Sequence, residues 1–309
     1  MPGTIEIRNF RKSYGPVKAV ENLTLTIESG ELFGLIGPDG AGKTTTMRTL
    51  CTLLDCEEGE MYVDGKDVRV EIPYIRSIVG YMPQRFSLYP DLTVEQNLNF
   101  FADLFGVAKS EKHERLARLY QFSKLAPFKN RLASALSGGM KQKLALSCTL
   151  IHTPKILILD EPTTGVDPVS RREFWQILRQ LRQEGVTMMV STPYMDEASF
   201  CDRVAFMHKG RLLALDRPDN LLKYFPYALY EITAKDIRSL VSYFHTETEA
   251  KSVQIFGDRL HVSFTRDLDA GSLSTIRDKS PGSISNIEKI QPSIEDTFLE
   301  LMKKEAVLN

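Results

Sequence analysis

The feature that most constrains this chain is a glycine-rich segment from Gly34 to Thr46, which lies between two apolar runs. Residues Leu32 to Ile36 are typical of a buried strand, and the run from Met47 to Leu54 is typical of a helix. Between them, Gly37-x-x-x-x-Gly42-Lys43-Thr44 matches the phosphate-binding loop, a motif that requires this strand-to-helix context. An ordinary glycine-rich turn is the alternative, but it does not account for the Lys-Thr pair behind the glycines.

The residue types of this loop predict how it would hold phosphate. Glycines let backbone N–H groups approach a β-phosphate closely, because no Cβ stands in the way. The helix that follows adds unpaired N–H groups and the positive end of its dipole. Lys43 can reach the β- and γ-phosphates, Thr44 can offer its hydroxyl to Mg²⁺, and Thr45 can donate to the α-phosphate. The predicted phosphate-binding residues are Gly37, Pro38, Asp39, Gly40, Ala41, Gly42, Lys43, Thr44 and Thr45.

Composition excludes several other classes of protein. The 309 residues suffice for two domains, and 42% hydrophobic with 26% charged residues is ordinary for a globular chain. A net charge of −1 argues against general nucleic-acid binding, which needs a basic footprint. No apolar run approaches the ~20 residues of a membrane span. The N-terminus has no basic region followed by an apolar stretch, so we expect no secretory signal. Cys-x-x-Cys and His-x-x-x-His pairs are missing from the sequence, so we expect reduced cytosolic cysteines and no zinc site.

A second glycine pair lies in the motif Leu136-Ser137-Gly138-Gly139-Met140, which precedes a helix predicted over 141–149. Ser137 is placed to cap that helix, and the two glycines leave its backbone N–H groups bare. This is a second anion site at a helix N-terminus. A nucleotide has only one γ-phosphate, so two such sites in one chain suggest that two chains share each nucleotide.

An apolar run from Ile156 to Leu159 ends in two acids, Asp160 and Glu161. Four unbroken apolar residues suit a strand buried on both faces of a parallel sheet. Asp160 at its end can hold Mg²⁺ through water, and Glu161 can polarise a water aimed at a γ-phosphate. The alternative is a strand that ends in solvent with two acids, which the upstream phosphate loop makes less plausible.

Two further residues carry weaker signals. Gln84 follows a short strand at 78–82 that Pro83 stops, and its amide could touch Mg²⁺ or the attacking water. Tyr14 is predicted at the exposed tip of a hairpin-like segment, where its ring could stack on an adenine. The alternatives are an ordinary loop glutamine and an ordinary turn tyrosine.

The segment from about 84 to 131 reads as a mostly helical insertion. Thr93-x-x-Gln96 matches a capping box that opens a helix. The apolar stripe that follows has helical spacing and predicts core packing for most of its members; they are Leu98, Phe101, Leu104 and Phe105. We expect the loop around Arg85 to Leu88, together with Tyr89 to Asp91, to be exposed and to contact a partner protein.

Phosphate loop, Gln84, the 136–140 motif and the acid strand, in this order, resemble the nucleotide-binding subunit of ABC transporters over residues 4 to about 222. The resemblance implies ATP and Mg²⁺ as cofactors and a head-to-tail dimer with two ATPs between the subunits. The signature residues Ser137, Gly138 and Gly139 of one subunit then close on the γ-phosphate held by the other. In this family Tyr14 would stack on adenine, Gln84 would be the Q-loop residue and Glu161 the catalytic base, with Thr44, Gln84 and Asp160 around the metal. Asp167 would belong to the segment that links the two sites.

One position departs from the family, which usually has a histidine in a Ser-Thr-His stretch after the next strand. Here Ser191-Thr192 is followed by Pro193, which has neither a side-chain donor nor a backbone N–H. We expect ATP binding to be largely intact and hydrolysis to be slow in a homodimer. A similar non-histidine stretch occurs in the first cassette of two-cassette drug-efflux exporters. The second subunit is therefore either another copy of this chain or a cassette with its own histidine.

The expected fold is an α/β P-loop NTPase cassette over 1–222, followed by a small α+β domain over 223–309. The cassette would have a mixed sheet, flanking helices and an inserted helical subdomain at about 85–150. The tail follows a β-α-β-β-α-β order, with a strand predicted at 283–290 and a final helix capped by Ser293 through Met302. It resembles the C-terminal extension of ABC-2-type drug and polysaccharide exporters.

These features predict a transport ATPase on the inner, cytoplasmic face of the cell membrane. It would drive a separate ABC-2-type membrane permease, most plausibly in multidrug efflux, with no nucleic-acid partner. A soluble ABC ATPase of repair or translation is disfavoured, because those usually carry two cassettes or a long coiled coil. A nucleotide-gated subunit with weak hydrolysis of its own, paired with a histidine-bearing cassette, remains the alternative that Pro193 favours.

Overall fold

A computed structural model describes residues 3–85, 88–281 and 284–308. The chain divides into two compact units, Met1–Pro218 and Asp219–Asn309. Phe86 and Ser87 of the loop expected to be exposed, and Ser283 of the last predicted strand, lie outside the described residues. Within the described ranges, no helix combines the length and the apolar character needed to cross a bilayer.

In the described part of the first unit, ten strands form two sheets. Its strands are β1 (Ile5–Tyr14), β2 (Val17–Ile27), β3 (Leu32–Ile36), β4 (Glu58–Val63), β5 (Lys66–Asp67), β6 (Val79–Met82), β7 (Ile156–Asp160), β8 (Thr187–Thr192), β9 (Arg203–His208) and β10 (Arg211–Asp216). One sheet is antiparallel, in the order β2-β1-β4-β5. The other has the order β10-β9-β3-β8-β7-β6 and is parallel except for β10. This confirms the predicted mixed α/β sheet.

Helices connect and flank these strands. They are α1 (Lys43–Leu50), α2 (Ile72–Ile78), α3 (Val94–Leu104), α4 (Lys109–Ser123), α5 (Gly138–Leu150), α6 (Pro168–Gln183) and the short α7 (Pro218–Leu221). Short 3-10 segments occur at Ala126–Phe128, Ala133–Ala135 and Met195–Phe200, and one at Leu222–Tyr224 belongs to the second unit. The elements from α3 to α5 form the predicted helical insertion between β6 and β7.

The parallel strands end in register at one edge of the sheet. Ile36 of β3 pairs with Thr192 of β8, and Ser191 of β8 pairs with Asp160 of β7. Met82 of β6 pairs in turn with Leu159. Ligands of open α/β sheets bind outside the carboxyl ends of the strands. The phosphate loop, the two acids and Pro193 all lie at these carboxyl ends.

Apolar runs explain why these strands are central. Residues Ile156 to Leu159 and all five residues of β3 are buried, as expected of strands covered on both faces. Helix α6 is amphipathic instead, and its buried face includes Phe174 and Trp175. The burial of both faces confirms the prediction for the acid strand.

Helix α3 shows one correct and one wrong prediction. The capping box is confirmed: Thr93 Oγ1 accepts from Gln96 N, and Gln96 Oε1 accepts from Thr93 N. Core packing of the apolar stripe is wrong for Leu104 and Phe105, which are 63% and 43% exposed. The buried face of α3 carries Leu98, as predicted, together with Val94, Asn97 and Ala102, so only part of the predicted stripe faces the core.

The second unit has the predicted β-α-β-β-α-β order and a C-terminal helix. Its elements are β11 (Ala228–Ala234), α8 (Ile237–Thr246), β12 (Ser252–Phe256), β13 (Arg259–Phe264), α9 (Ala270–Lys279), β14 (Ile284–Ile290) and α10 (Ile294–Leu308). The sheet is antiparallel, with strand order β12-β13-β11-β14. Its own core includes Ile232, Phe244 and Leu260, which is why this unit is compact.

The core of the second unit can be tested on Ile232, which is 1% exposed on the central strand β11. We expect Ile232→Ala to lower the free energy of opening by about 2–5 kcal/mol, through lost burial and a residual cavity. Amide hydrogen exchange of β11 and β13 peptides measures this. Ile255→Ala is the matched control: Ile255 is 53% exposed on β12, and equal losses in both variants would contradict the assigned core.

Candidate functional site

The phosphate loop follows β3 and starts helix α1, and two of its positions have room only for glycine. At Gly37 a Cβ would lie 2.1 Å from the carbonyl oxygen of Met207, and at Gly42 one would lie 2.4 Å from that of Ala19. Gly42 also has a φ of 99° as the residue before α1, which disfavours a side chain. The loop is therefore packed tightly against the backbone of Met207 and Ala19.

Lys43 begins α1 and turns back over its own loop. Its ammonium group donates to the carbonyl oxygens of Gly37 and Pro38, at 2.7 and 3.0 Å. It also lies 3.2 Å from Glu161 Oε1, and both side chains are almost fully buried. The structure thus joins the predicted phosphate-binding cation directly to Glu161, the predicted catalytic base.

Asp160 lies at the centre of a set of oxygen atoms. Its Oδ1 accepts from Thr44 Oγ1 at 3.0 Å and from Ser191 Oγ at 2.8 Å. On the other side, the hydroxyl of Tyr81 lies 3.5 Å from Oδ2. Burial and the negative charge of Asp160 raise the pKa of Tyr81 to about 12, so this hydroxyl keeps its proton as a donor at neutral pH.

Glu161 is held in an unusual backbone conformation. Its φ of 49° lies in the left-handed region, which costs a non-glycine residue about 1–2 kcal/mol. Its N–H donates to the backbone oxygen and the hydroxyl of Ser191, at 3.2 and 2.9 Å. At the side chain, Oε2 accepts from Gln84 Nε2 at 2.9 Å and from Thr164 Oγ1 at 3.3 Å. The neighbouring strand therefore fixes where this carboxylate points.

The 136–140 motif forms the exposed start of α5. Ser137 is the N-cap and accepts from Met140 N at 3.3 Å, as predicted, and both Ser137 and Gly138 are exposed. Gly139 is buried, and a Cβ there would meet Ser170 at 2.4 Å. The first two residues of this motif's serine-glycine segment are thus accessible at the surface of the unit.

Asp167 caps the neighbouring helix α6. Its carboxylate accepts from the backbone N–H groups of Ser170 and Val169, at 3.0 and 3.1 Å. These bonds, with the one from Ser170 first, hold the pKa of Asp167 below its usual range. Asp167 is exposed, so a charged carboxylate stands at the surface where α6 begins.

Among the predicted residues, hydrogen bonds and the ion pair join four side chains into one network: Lys43, Thr44, Asp160 and Glu161, with Gln84 attached through Glu161. Tyr14 lies at the end of β1 and is 48% exposed, outside this network. Ser191, Tyr81 and Thr164 belong to the network but were not predicted. Their position in the sheet could have indicated Ser191 and Tyr81, because both lie near the ends of the strands that flank β7.

The donors around Asp160 fit a small hard cation. Mg²⁺ takes oxygen ligands, uses one or two carboxylates and leaves its other positions to water and phosphate. The hydroxyl of Thr44 and the carboxylate of Asp160 offer such oxygens side by side. The described residues hold no cluster of three or more His, Cys, Asp or Glu side chains that could hold a metal ion.

Comparisons with known proteins agree with this geometry. The family model described as "ABC transporter" matches residues 20–164. The probable multidrug ABC transporter ATP-binding protein YbhF of Escherichia coli (strain K12) is 43% identical over 217 residues. That match covers 70% of this chain but only 38% of YbhF, so the chain spans well under half of that relative's length.

Two further similarities cover more of the related protein. The Nod factor export ATP-binding protein I of Burkholderia lata is 35% identical over 306 residues, which is 97% of each chain. The solved dimeric structure of MJ0796, a bacterial ABC transporter cassette, is 28% identical with a TM-score of 0.63 and covers 69% of this chain and 98% of its own. Together with the phosphate loop, the acid strand and the exposed serine-glycine helix start, they show that the chain belongs to the ATP-binding subunits of ABC transporters, a family of ATPases.

Proposed function

We propose that this chain is the ATP-hydrolysing subunit of an ABC exporter and that it drives a separate membrane permease of the ABC-2 type. The observation that carries the proposal is the network in which Lys43 and Thr44 of the phosphate loop meet Glu161 and Asp160 of the acid strand. Phosphate binding and water activation need these four groups within a few ångströms of one another. The chain would act at the inner, cytoplasmic face of the cell membrane.

ATP would enter with its phosphates over the loop 37–45, whose backbone N–H groups and helix start favour anions. Lys43 would exchange its contacts with Gly37, Pro38 and Glu161 for the β- and γ-phosphate oxygens. That exchange leaves Glu161 Oε1 without its cation and able to accept a hydrogen bond from water. Tyr14 would stack on the adenine ring through its exposed face.

Thr44 and Asp160 would hold Mg²⁺, with Gln84 beside it, and the ion would neutralise charge on the phosphates when bound. Glu161 would orient the attacking water and accept its proton as the water oxygen bonds to the γ-phosphorus. The bond to the bridging oxygen breaks at the same time, and ADP and inorganic phosphate are the products. Ser191 would fix the direction of Glu161 through its two contacts with that residue's N–H.

A second cassette would complete each ATP site. Ser137 and Gly138 at the start of α5 are exposed, so the N–H groups of this helix start could close on a γ-phosphate held by a partner chain. The exposed, charged Asp167 lies at the start of α6 beside this region, since Gly139 packs against Ser170. A head-to-tail dimer places both groups at the shared nucleotide.

The permease would contact a cleft of about 390 Å³ at the base of the helical insertion. Gln84, Arg85, Pro90, Ser134 and Lys141 contribute to its lining. The exposed aromatic rings of Tyr89 and Phe100 meet edge to face nearby, with their centroids 4.5 Å apart, which suits a partner with an apolar helix. Gln84 lines this cleft and also donates a hydrogen bond to Glu161. A permease bound in the cleft would therefore be one hydrogen bond away from the catalytic base.

Export is supported by the names of the relatives. The YbhF relative is described as a probable multidrug transporter component, and the relative matched along 97% of both chains is described as a Nod factor export protein. The second match includes the C-terminal unit, so this two-unit organisation is shared with an export protein. Which compound is exported depends on the permease.

Pro193 favours a second candidate function, a nucleotide-gated subunit with weak hydrolysis that pairs with a histidine-bearing cassette. It follows Thr192 directly, at the strand end that contacts Gly37 and, through Ser191, Glu161. A histidine at this position could donate a hydrogen bond toward the reacting phosphate, whereas proline has no donor to offer. ATP would then bind and close the dimer with little turnover at this chain's own site.

The role of the loop can be tested at Gly42. We expect Gly42→Ala to weaken MgATP binding about tenfold or more, corresponding to about 1.4 kcal/mol, because relief of the contact with Ala19 shifts the loop. Isothermal titration measures this. Gly185→Ala is the matched control, since Gly185 also has a positive φ of 87° but an added Cβ there meets nothing within 4 Å. Unchanged affinity in Gly42→Ala would contradict the assignment.

The role of position 193 can be tested by restoring the donor. We expect Pro193→His to raise steady-state ATP turnover at least about tenfold at unchanged ATP affinity, since one charge-stabilising donor is worth about 2.7–4 kcal/mol in the barrier. Pro193→Ala, which restores flexibility but no side-chain donor, should leave the rate near that of the parent chain. A steady-state rate that does not rise in Pro193→His refutes this explanation of slow hydrolysis.

The permease partnership can be tested by affinity capture from detergent-solubilised membranes of cells that express the tagged chain. We expect the parent chain to retain a polytopic membrane protein and Lys141→Glu to retain at least about tenfold less, a loss of about 1.4 kcal/mol, because the new acid lies in the cleft. Lys109→Glu reverses the charge of an exposed lysine on α4 and should retain as much as the parent. Capture of only soluble proteins would contradict the proposal.

A further inference from the structure

Glu197 is a buried carboxylate in the 3-10 segment that follows Pro193, and it is 1% exposed. Its oxygens accept hydrogen bonds from Thr163 Oγ1, at 2.9 and 3.2 Å, and from Thr192 Oγ1. Arg171 Nε donates to the same carboxylate at 3.1 Å. A buried charge requires this full set of donors, because unpaired it would be strongly unfavourable.

The three donors come from three parts of the candidate site. Thr163 lies two residues beyond Glu161, in the turn that begins at Glu161. Thr192 ends β8 before Pro193, and its carbonyl oxygen accepts from Gly37 N of the phosphate loop. Arg171 lies one helical turn beyond Asp167, and its N–H donates to the Asp167 carbonyl oxygen. One side chain therefore contacts the acid loop, the stretch that carries Pro193 and the helix that starts at Asp167.

Arg171 also fastens the residues between Pro193 and Glu197 to α6. Its guanidinium carbon lies 4.2 Å from the centre of the Tyr194 ring, a cation–π arrangement. The same group pairs with Asp196 at 3.1 Å. Tyr194 N donates to Thr192 Oγ1 at 3.0 Å, so the stretch after β8 keeps a defined shape although it carries proline.

We propose that Glu197 is a positioning residue that couples Asp167, at the dimer face, to Glu161 and the Pro193 stretch. The inference rests on the proposed ATP-bridged dimer. Displacement of α6 by a partner chain at Asp167 would move Arg171. Loss of this donor would leave the buried carboxylate partly unpaired, which is strongly unfavourable, so Glu197 would move with Arg171. Thr163 and Thr192 would then move with it, so that closure of the dimer sets the direction of Glu161.

The first experiment measures single-turnover hydrolysis of radiolabelled ATP by the full chain, together with its dissociation constant for MgATP. We expect Glu197→Gln, which keeps the side-chain size, to slow turnover about tenfold, with the dissociation constant changed less than about twofold. Glu184→Gln is the matched control, because Glu184 also pairs with an arginine, Arg118, but at the far end of α6. Its rate should equal that of the parent.

A double-mutant cycle separates coupling from a merely structural role. Asp167→Asn removes the charge but keeps an N-cap residue, and we expect it to slow turnover about tenfold as well. If Glu197 transmits the influence of Asp167, the double variant is about as slow as the slower single variant, whereas independent effects multiply to about 100-fold. Multiplied effects, or an unchanged rate in Glu197→Gln, overturn the proposal.

Folding failure is covered by a second pair of variants. Thr163→Val removes one donor to Glu197 at nearly constant volume and should slow turnover, and Thr163→Ser keeps the hydroxyl and should restore it. Equal rates in these two variants count against the proposal. If the parent chain binds no MgATP the proposed function itself fails, whereas normal binding with a multiplicative cycle removes only the role of Glu197.

Discussion

The register of four parallel strands is the constraint on which the rest of the candidate site depends. Strands β3, β6, β7 and β8 end together, with Ile36 opposite Thr192 and Asp160 opposite Ser191. Side chains alternate between sheet faces, so a slip of one residue would turn Asp160 and Ser191 away from their partners. Two contacts across the strand ends, from Gly37 N to Thr192 O and from Glu161 N to Ser191 O, secure this register where the chemistry would occur.

Much of this could be predicted because its signals are local. Glycines, Lys43 and the acids after an apolar run are read from short segments, and so is the Thr93 capping box. Strand order and side-chain direction depend on contacts between distant residues. The ties of Ser191 and Tyr81 to Asp160 therefore could not be predicted, nor could the exposure of Leu104, since its neighbours in space and not its spacing decide which face of α3 is buried.

The buried pair of Lys43 and Glu161 connects binding to chemistry. Both charged side chains are buried and form an ion pair with each other. Lys43 also donates to the carbonyl oxygen of Gly37, and Glu161 also accepts from the amide of Gln84. A bound triphosphate would compete with Glu161 for Lys43. ATP binding would therefore also free the carboxylate of Glu161, the proposed catalytic base, from its ion pair. With Pro193 offering no side-chain donor, the proposed site would bind ATP but lack one donor for hydrolysis, and this would favour partnership with a second cassette.

The central claim is that each ATP is held between the phosphate loop of one chain and the signature helix of another. Mixing two variants that are each unable to dimerise tests it most directly: Lys43→Ala, which lacks the phosphate contact, and Ser137→Arg, which blocks the exposed helix start. Sedimentation velocity with MgATP should show each variant alone as a monomer and the mixture as a dimer, because one intact composite site is reassembled. A mixture that stays monomeric while the parent chain dimerises, or a Ser137→Arg chain that dimerises like the parent, would contradict the account.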